Sequence, residues 1–199
     1  MPTALLSPHN KEGLGDFAYD LLMLGYNLLG SAEAAKHLNE CGVPTRDIAE
    51  LVGPPILGGR AAMLSPEIYA ALVADDSLED RAELVRIRMP RIDLVYVNLH
   101  PLMKETVSPG MLVAKTDIDG LMLLHSAIRG RRLVLSSSGQ FPLVLKYIRD
   151  QSQPQQGANE HERFISWLVW QAEAAVARYC HISANYRCEH AQTAYRFMP

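Results

Sequence analysis

Apolar residues fall along this chain in two recurring patterns: short unbroken runs, and stripes at helical spacing, with polar loops between them. Thr3–Leu6 is a run of the first kind, and it ends in Ser7-Pro8-His9-Asn10-Lys11. A short apolar run bounded by turn residues fits a strand buried on both faces. Over residues 13–24, Leu14, Phe17, Ala18, Leu21 and Leu22 recur at the spacing of one helix face. Gly25 stops that helix, and residues 26–29 form the next run. Ser31 stands where an N-cap belongs for a helix through Cys41, which Gly42-Val43-Pro44 closes.

The alternation continues downstream. Gly53-Pro54-Pro55 and Gly58-Gly59 mark an irregular loop. Ser65 precedes a short helix over residues 66–73, with Pro66 at the first helical position, and residues 78–88 form another. Ile92-Asp93-Leu94-Val95-Tyr96-Val97 is the clearest strand, bounded by Pro90 and by Asn98-Leu99-His100-Pro101. Residues 116–129 are helical after an entry loop, 132–136 form a strand and 140–150 a helix. Residues 151–157, Gln-Ser-Gln-Pro-Gln-Gln-Gly, read as a polar linker. Beyond it, residues 160–177 form a long amphipathic helix whose Trp167 and Trp170 are expected to pack on the sheet or against a second copy.

Strands alternating with helices at this rhythm predict an α/β fold: three layers, with a mostly parallel sheet and flanking helices. The expected organisation is an α/β domain over residues 1–150, the linker over 151–157, and a C-terminal helical extension over 158–199 packed on the same domain.

Composition changes the picture little. The 199 residues suffice for one domain with a sizeable core and are short for two. A charged fraction of 21% and a net charge of −3 leave no basic surplus for nucleic acid. Stretches such as Leu21-Leu22-Met23-Leu24 are too short to span a bilayer, and no secretory signal pattern opens the chain. Cys41, Cys180 and Cys188 are too few for a disulfide framework and suit a reducing cytoplasm. Cys180-His181 and Cys188-x-His190 match no common zinc spacing. The expectation is a cytoplasmic protein with no metal, no cofactor, and neither nucleic acid nor membrane as partner.

In open parallel sheets, ligands bind at the carboxyl ends of the strands. That rule nominates the loops over residues 7–13, 30–34 and 98–103, and the segment after Ser136. The loops over 53–65 and 116–120 join them because they combine glycine, arginine and aspartate.

In order, these loops resemble the IMP cyclohydrolase domain, the N-terminal half of the bifunctional purine enzyme that also carries AICAR transformylase. Ala4-Leu-Leu-Ser-Pro-His-Asn-Lys-Glu-Gly13 resembles that family's opening strand and Ser-Asp-Lys-Thr-Gly loop. Leu28-Leu-Gly-Ser-Ala-Glu-Ala-Ala35 sits where the family has Ser-Thr-Gly-Gly-Thr-Ala, and Gly58-Gly-Arg-Ala-Ala-Met-Leu-Ser-Pro66 resembles Gly-Arg-Val-Lys-Thr-Leu-His-Pro. Asp93-Leu-Val-Tyr-Val-Asn-Leu-His-Pro-Leu102 resembles a strand ending Asn-Leu-Tyr-Pro-Phe. Thr116-Asp-Ile-Asp-Gly120 followed by His125-Ser-Ala resembles Ile-Asp-Ile-Gly-Gly and its helix, and Tyr179-Cys-His181 a late aromatic-x-His pair. The resemblance runs along nearly the whole chain and implies a methylglyoxal-synthase-like fold. It does not include the transformylase half, so folate-dependent formyl transfer is not expected.

Lys11, Arg60, Asn98 and Asp117 match the family pattern. The family's lysine after Gly-Arg is Ala62 and its threonine Met63; its tyrosine after Asn-Leu is His100; its glycine after Asp-Ile is Asp119. The lysine ending the next helix is Arg129, and the phosphate loop has become Ala32-Glu33-Ala34. The implied reaction closes a ring within one molecule: a carboxamide nitrogen attacks a formamide carbon and water leaves. It needs a base for the nitrogen, donors for the developing oxyanion, and a productive conformer.

His100 is the best acid–base candidate, since its ordinary pKa lies near neutrality. Asp117 either orients the reacting amide or caps the following helix. Arg129 can hold positive charge but cannot act as a base. These three are the candidate catalytic residues. Lys11 and Arg60 are the cations for an anionic ligand, and Asn10 and Asn98 can read an amide or hydroxyl. Ser31 can bind phosphate with helix N-terminal N–H groups, against which Glu33 works by charge. Ser65 and Asp119 complete the binding set, with His9 and His125 as lesser candidates.

Three readings follow. The chain is a cyclase-type enzyme acting on a small molecule, a nucleotide or another anion, with the family's substrate or an altered one. Alternatively it is an inactive ligand-binding or regulatory domain of the same fold. A weaker reading is an interaction protein working through the Trp167/Trp170 helix. A homodimer is expected, as the resemblance implies.

Overall fold

The structure is a computed structural model that describes residues 1–56, 63–102, 116–151 and 158–195, with side chains over 159–188 in the last segment. Five strands form one sheet: β1 (Thr3–Leu6), β2 (Asn27–Gly30), β3 (Arg46–Asp47), β4 (Leu94–Tyr96) and β5 (Leu133–Leu135). Their order is β3-β2-β1-β4-β5, and every pairing is parallel. Leu5 lies opposite Leu29 on one side and Val95 on the other, and Val95 lies opposite Val134. All residues of β1, β4 and β5 are buried, as strands covered on both faces must be.

The helices are α1 (Leu14–Met23), α2 (Ala32–Glu40), α3 (Ala49–Val52), α4 (Pro66–Val73), α5 (Leu78–Arg86), α6 (Ile118–Arg129), α7 (Phe141–Gln151) and α8 (Ala158–Tyr195). Helix α1 packs with α2 and α7, and α6 packs with α4 and α8, giving the α/β layers expected. Phe17 of α1 stacks on Phe141 of α7 at 3.9 Å, and Tyr96 of β4 meets both edge-on. On α8, Ile165, Leu168, Ala172, Val176 and Tyr179 are buried in a single stripe, and this helix lies against β5. No helix among the described residues is long and apolar enough to cross a membrane.

Several boundaries differ from those read along the chain. Gln151 closes α7, and the remainder of the proposed linker lies outside the described residues. Helix α8 continues to Tyr195 instead of stopping at 177. Strand β3 was not anticipated, because Arg46 and Asp47 have no apolar signal; only pairing with Leu29 and Gly30 makes them a strand. The four residues of α3 were missed for want of a full helical period.

Candidate active site

The strand order reverses between β1 and β4, and at such a switch point the loops after the two strands part to leave a crevice. Residues 7–11 follow β1 and residues 97–101 follow β4, and backbone bonds hold the two loops in register. Ser7 N–H donates to the Tyr96 carbonyl at 2.9 Å and His9 N–H to the Asn98 carbonyl at 3.3 Å. Asn10 N–H donates to Asn98 Oδ1 at 3.0 Å, so the Asn98 side chain ties the loops together. Gly13, at φ 69°, then turns the chain into α1, a conformation that favours glycine. His9, Asn10, Lys11, Asn98, Leu99 and Pro101 line the resulting cleft of about 550 Å³.

Asp117 borders the same edge. Its Oδ1 accepts from Gly120 N–H at 2.8 Å, capping α6, while its Oδ2 accepts from His100 N–H at 3.0 Å. Capping and site-building are therefore one arrangement. The Asp117 N–H donates in turn to Tyr179 Oη at 2.9 Å, which ties the site to α8. Burial, the largest cause, pushes the Tyr179 hydroxyl above its ordinary pKa and keeps it a neutral partner. The His100 ring lies against that of His9, with centroids 3.6 Å apart. Burial, then His100 and Lys11, lower the His9 pKa from 6.5, against smaller raising effects of Asp117 and Glu33.

Lys11 does not stand free for an anion. Its Nζ lies 3.3 Å from Glu33 Oε2, in the first turn of α2. Ser31 caps α2 without a side-chain cap bond and accepts Ala35 N–H on its carbonyl at 2.8 Å. Asn10 Oδ1 accepts Glu12 N–H at 3.0 Å and shapes the loop.

Other nominated residues make contacts of their own. Ser65 is the N-cap of α4, its Oγ accepting Ile68 N–H at 3.1 Å. Asp119 Oδ2 accepts Met63 N–H at 3.1 Å, a contact that ties the loop before α4 to α6. Arg129 is not brought to His100: it sits twelve residues beyond Asp117, on the last turn of α6, about 18 Å along the helix. The reason is topological, since α6 runs back toward the amino edge of the sheet before β5 begins. His125 is exposed on the same helix. Arg60 and Ala62 lie outside the described residues. No group of three or more His, Cys, Asp or Glu that could hold a metal occurs among the described residues.

Two residues at this edge carry little local signal in the sequence. Nothing near His9 in the chain shows that its loop faces His100. Tyr179 continues the apolar stripe of Ile165, Leu168, Ala172 and Val176, and that spacing was a usable signal for its inward direction. A larger cleft of about 760 Å³ opens at the amino edge of the sheet, near Thr3, Tyr26 and Arg88. It lies away from the carboxyl edge, where this class of fold places its chemistry. The cleft between β1 and β4 is lined by the His9 imidazole and the paired Lys11, and the His100 ring and the Asp117 carboxylate stand beside it: equipment for moving protons.

The chain matches no protein-family model. It is 33% identical over 194 residues to the bifunctional purine biosynthesis protein PurH of Lactobacillus acidophilus, a match covering 94% of this chain and 37% of that protein. It is 36% identical over 155 residues to PurH of Thermosynechococcus vestitus, covering 73% of this chain and 30% of that protein. It thus spans about a third of the length of the curated relatives it matches. A crystal structure of ForH superposes with a TM-score of 0.74 at 24% identity, covering 92% of this chain and 98% of that one, and establishes the common fold. The chain is accordingly a PurH-domain-like protein, related along nearly its whole length to part of that bifunctional protein.

Proposed function

We propose that this protein is a cyclohydrolase-type enzyme that closes, or in reverse opens, a ring within a small amide–formamide substrate, and that its substrate differs from the family's formylated aminoimidazole carboxamide ribotide. The observation that carries the altered substrate is the Lys11–Glu33 pair at 3.3 Å. It puts a carboxylate at the helix N-terminus where the family resemblance expects a phosphate, and two anions there would repel. Support for catalysis rather than mere binding comes from His100, whose backbone is anchored to Asp117 and whose ring meets that of His9 beside the cleft. An imidazole can exchange protons with the reacting groups as the nitrogen attacks, and the loops that Asn98 ties together can hold the substrate in the reactive conformer.

The test is to incubate the protein with the formylated ribotide and with its dephosphorylated form, following ring closure in the ultraviolet. The phosphate-free compound should turn over and the ribotide only feebly. In Glu33→Gly, KM for the ribotide should fall by up to about fivefold, the range of an exposed ion pair. His100→Ala should lose about 10²-fold or more in kcat. Efficient ribotide turnover by the unaltered protein would remove the altered-substrate reading, and an undiminished His100→Ala rate would remove His100 from the chemistry.

A further inference from the structure

His9 and His100 arrive from different loops, after β1 and β4, yet their rings meet with planes tilted by 40° and centroids 3.6 Å apart. The backbone fixes both: His9 N–H donates to the Asn98 carbonyl, and His100 N–H to Asp117 Oδ2. Both positions depart from the family pattern. Aligned on Lys11, that pattern has serine where His9 stands, and it has tyrosine at His100. Two imidazoles this close resist carrying two charges, so a proton on one disfavours a proton on the other.

We propose that His9 and His100 act as a coupled proton pair, with His9 the neutral base and its partner ring the acid of the ring closure; this rests on the cyclohydrolase-type reading. In the first half-reaction the N–C bond forms, one amide N–H proton passes to the base, and the formyl oxygen takes a proton from the acid to become a hydroxyl. In the second half-reaction the C–O bond breaks. The hydroxyl leaves with a proton from the pair as water, and the proton on the formamide nitrogen returns to the pair. Each half-reaction gives one proton and takes one, so the pair ends with the charge it began with and needs no outside donor.

The surroundings fit this assignment. His100, Lys11, Asp117 and Glu33 are the charged or titratable groups acting on His9. Burial and the two basic neighbours outweigh the two carboxylates and favour the neutral ring, ready to accept a proton at pH 7. Both histidines lie at the surface, His9 only partly desolvated by its neighbours, so replacing either leaves the core intact.

The experiment is an NMR titration of the His9 ring in the full chain, unaltered and as His100→Gln, with far-ultraviolet circular dichroism as a folding check. Removing the neighbouring ring should raise the His9 midpoint by about 0.7 of a pH unit, the effect of one like charge at about 4 Å in water. An unmoved midpoint overturns the pair. His9→Gln should lower turnover about 10²-fold at pH 7 and flatten the acid limb of the rate profile, whereas an unchanged profile overturns the role of His9. Absence of turnover on every formamide substrate would defeat the cyclohydrolase reading itself, a result independent of the titration.

Discussion

Asp117 shows how closely a helix cap and the anchor of a neighbouring loop can be combined in one residue. One carboxylate oxygen caps α6 through Gly120 N–H, and the other holds the His100 backbone. Gly120 leaves the space this needs, for a Cβ there would come within 2.7 Å of Asp117 Oδ2. The carboxylate cannot swing away without giving up two hydrogen bonds. Alanine is better than glycine inside a helix by up to about 1 kcal/mol, which opposes the clash. Losing the cap and the anchor costs more, about 1–3 kcal/mol together. Gly120→Ala should therefore lose about 1 kcal/mol in urea unfolding and also lose turnover. Equal or greater stability would mean that the carboxylate is not held as described.

The ends of α4 and α6 are clamped at the start of β5. Arg132 is buried and donates from Nε to the Leu72 carbonyl at 2.6 Å, with a second bond to the Ala74 carbonyl. These are carbonyls at the last turn of α4, where a cation is favoured by the helix dipole. Burial, the largest cause, lowers the Arg132 pKa, yet a guanidinium stays charged at any working pH. Gly130 sits against the same carbonyl, and a Cβ there would fall 1.8 Å from Leu72 O, which is backbone. Overpacking against backbone costs about 1–3 kcal/mol, so Gly130→Ala should lower Tm by about 5 °C in a calorimetric scan. An unchanged Tm would show that α4 and α6 slide apart freely.

Across the molecule, α8 belongs to the same core as the sheet, for Ile165, Leu168, Ala172 and Val176 join the buried cluster that contains β1, β4 and β5. Leu168 is fully buried, and truncation at such a site costs about 2–5 kcal/mol. Leu168→Ala should destabilise the whole chain by that amount. The fluorescence of Trp167 and Trp170 and the far-ultraviolet signal should still unfold together. A separate, earlier tryptophan transition would make α8 an independent attachment. Trp167 stacks near Phe164 at 6.2 Å and is partly buried, while Trp170 is 59% exposed. The two tryptophans therefore play different parts, although both lie on the same amphipathic stretch.

Local sequence was enough to determine the alternation of strands and helices, the buried runs of β1, β4 and β5, and the helix start at Pro66, while capping stood as one of two readings for Asp117. Burial on both faces forces continuous apolar runs, and capping chemistry is set by neighbours in the chain. The strand-edge rule also located the cleft, because it depends only on strand direction. What the tertiary structure alone decided were contacts between segments far apart in sequence. His9 meets His100 across 91 positions, Lys11 meets Glu33 across 22, and Tyr179 reaches Asp117 across 62. Arg129, which matched by position, is carried away from the site by the rise of its own helix. No periodicity records such pairings. They arise when β1 and β4 come to lie side by side and fix which loops share an edge.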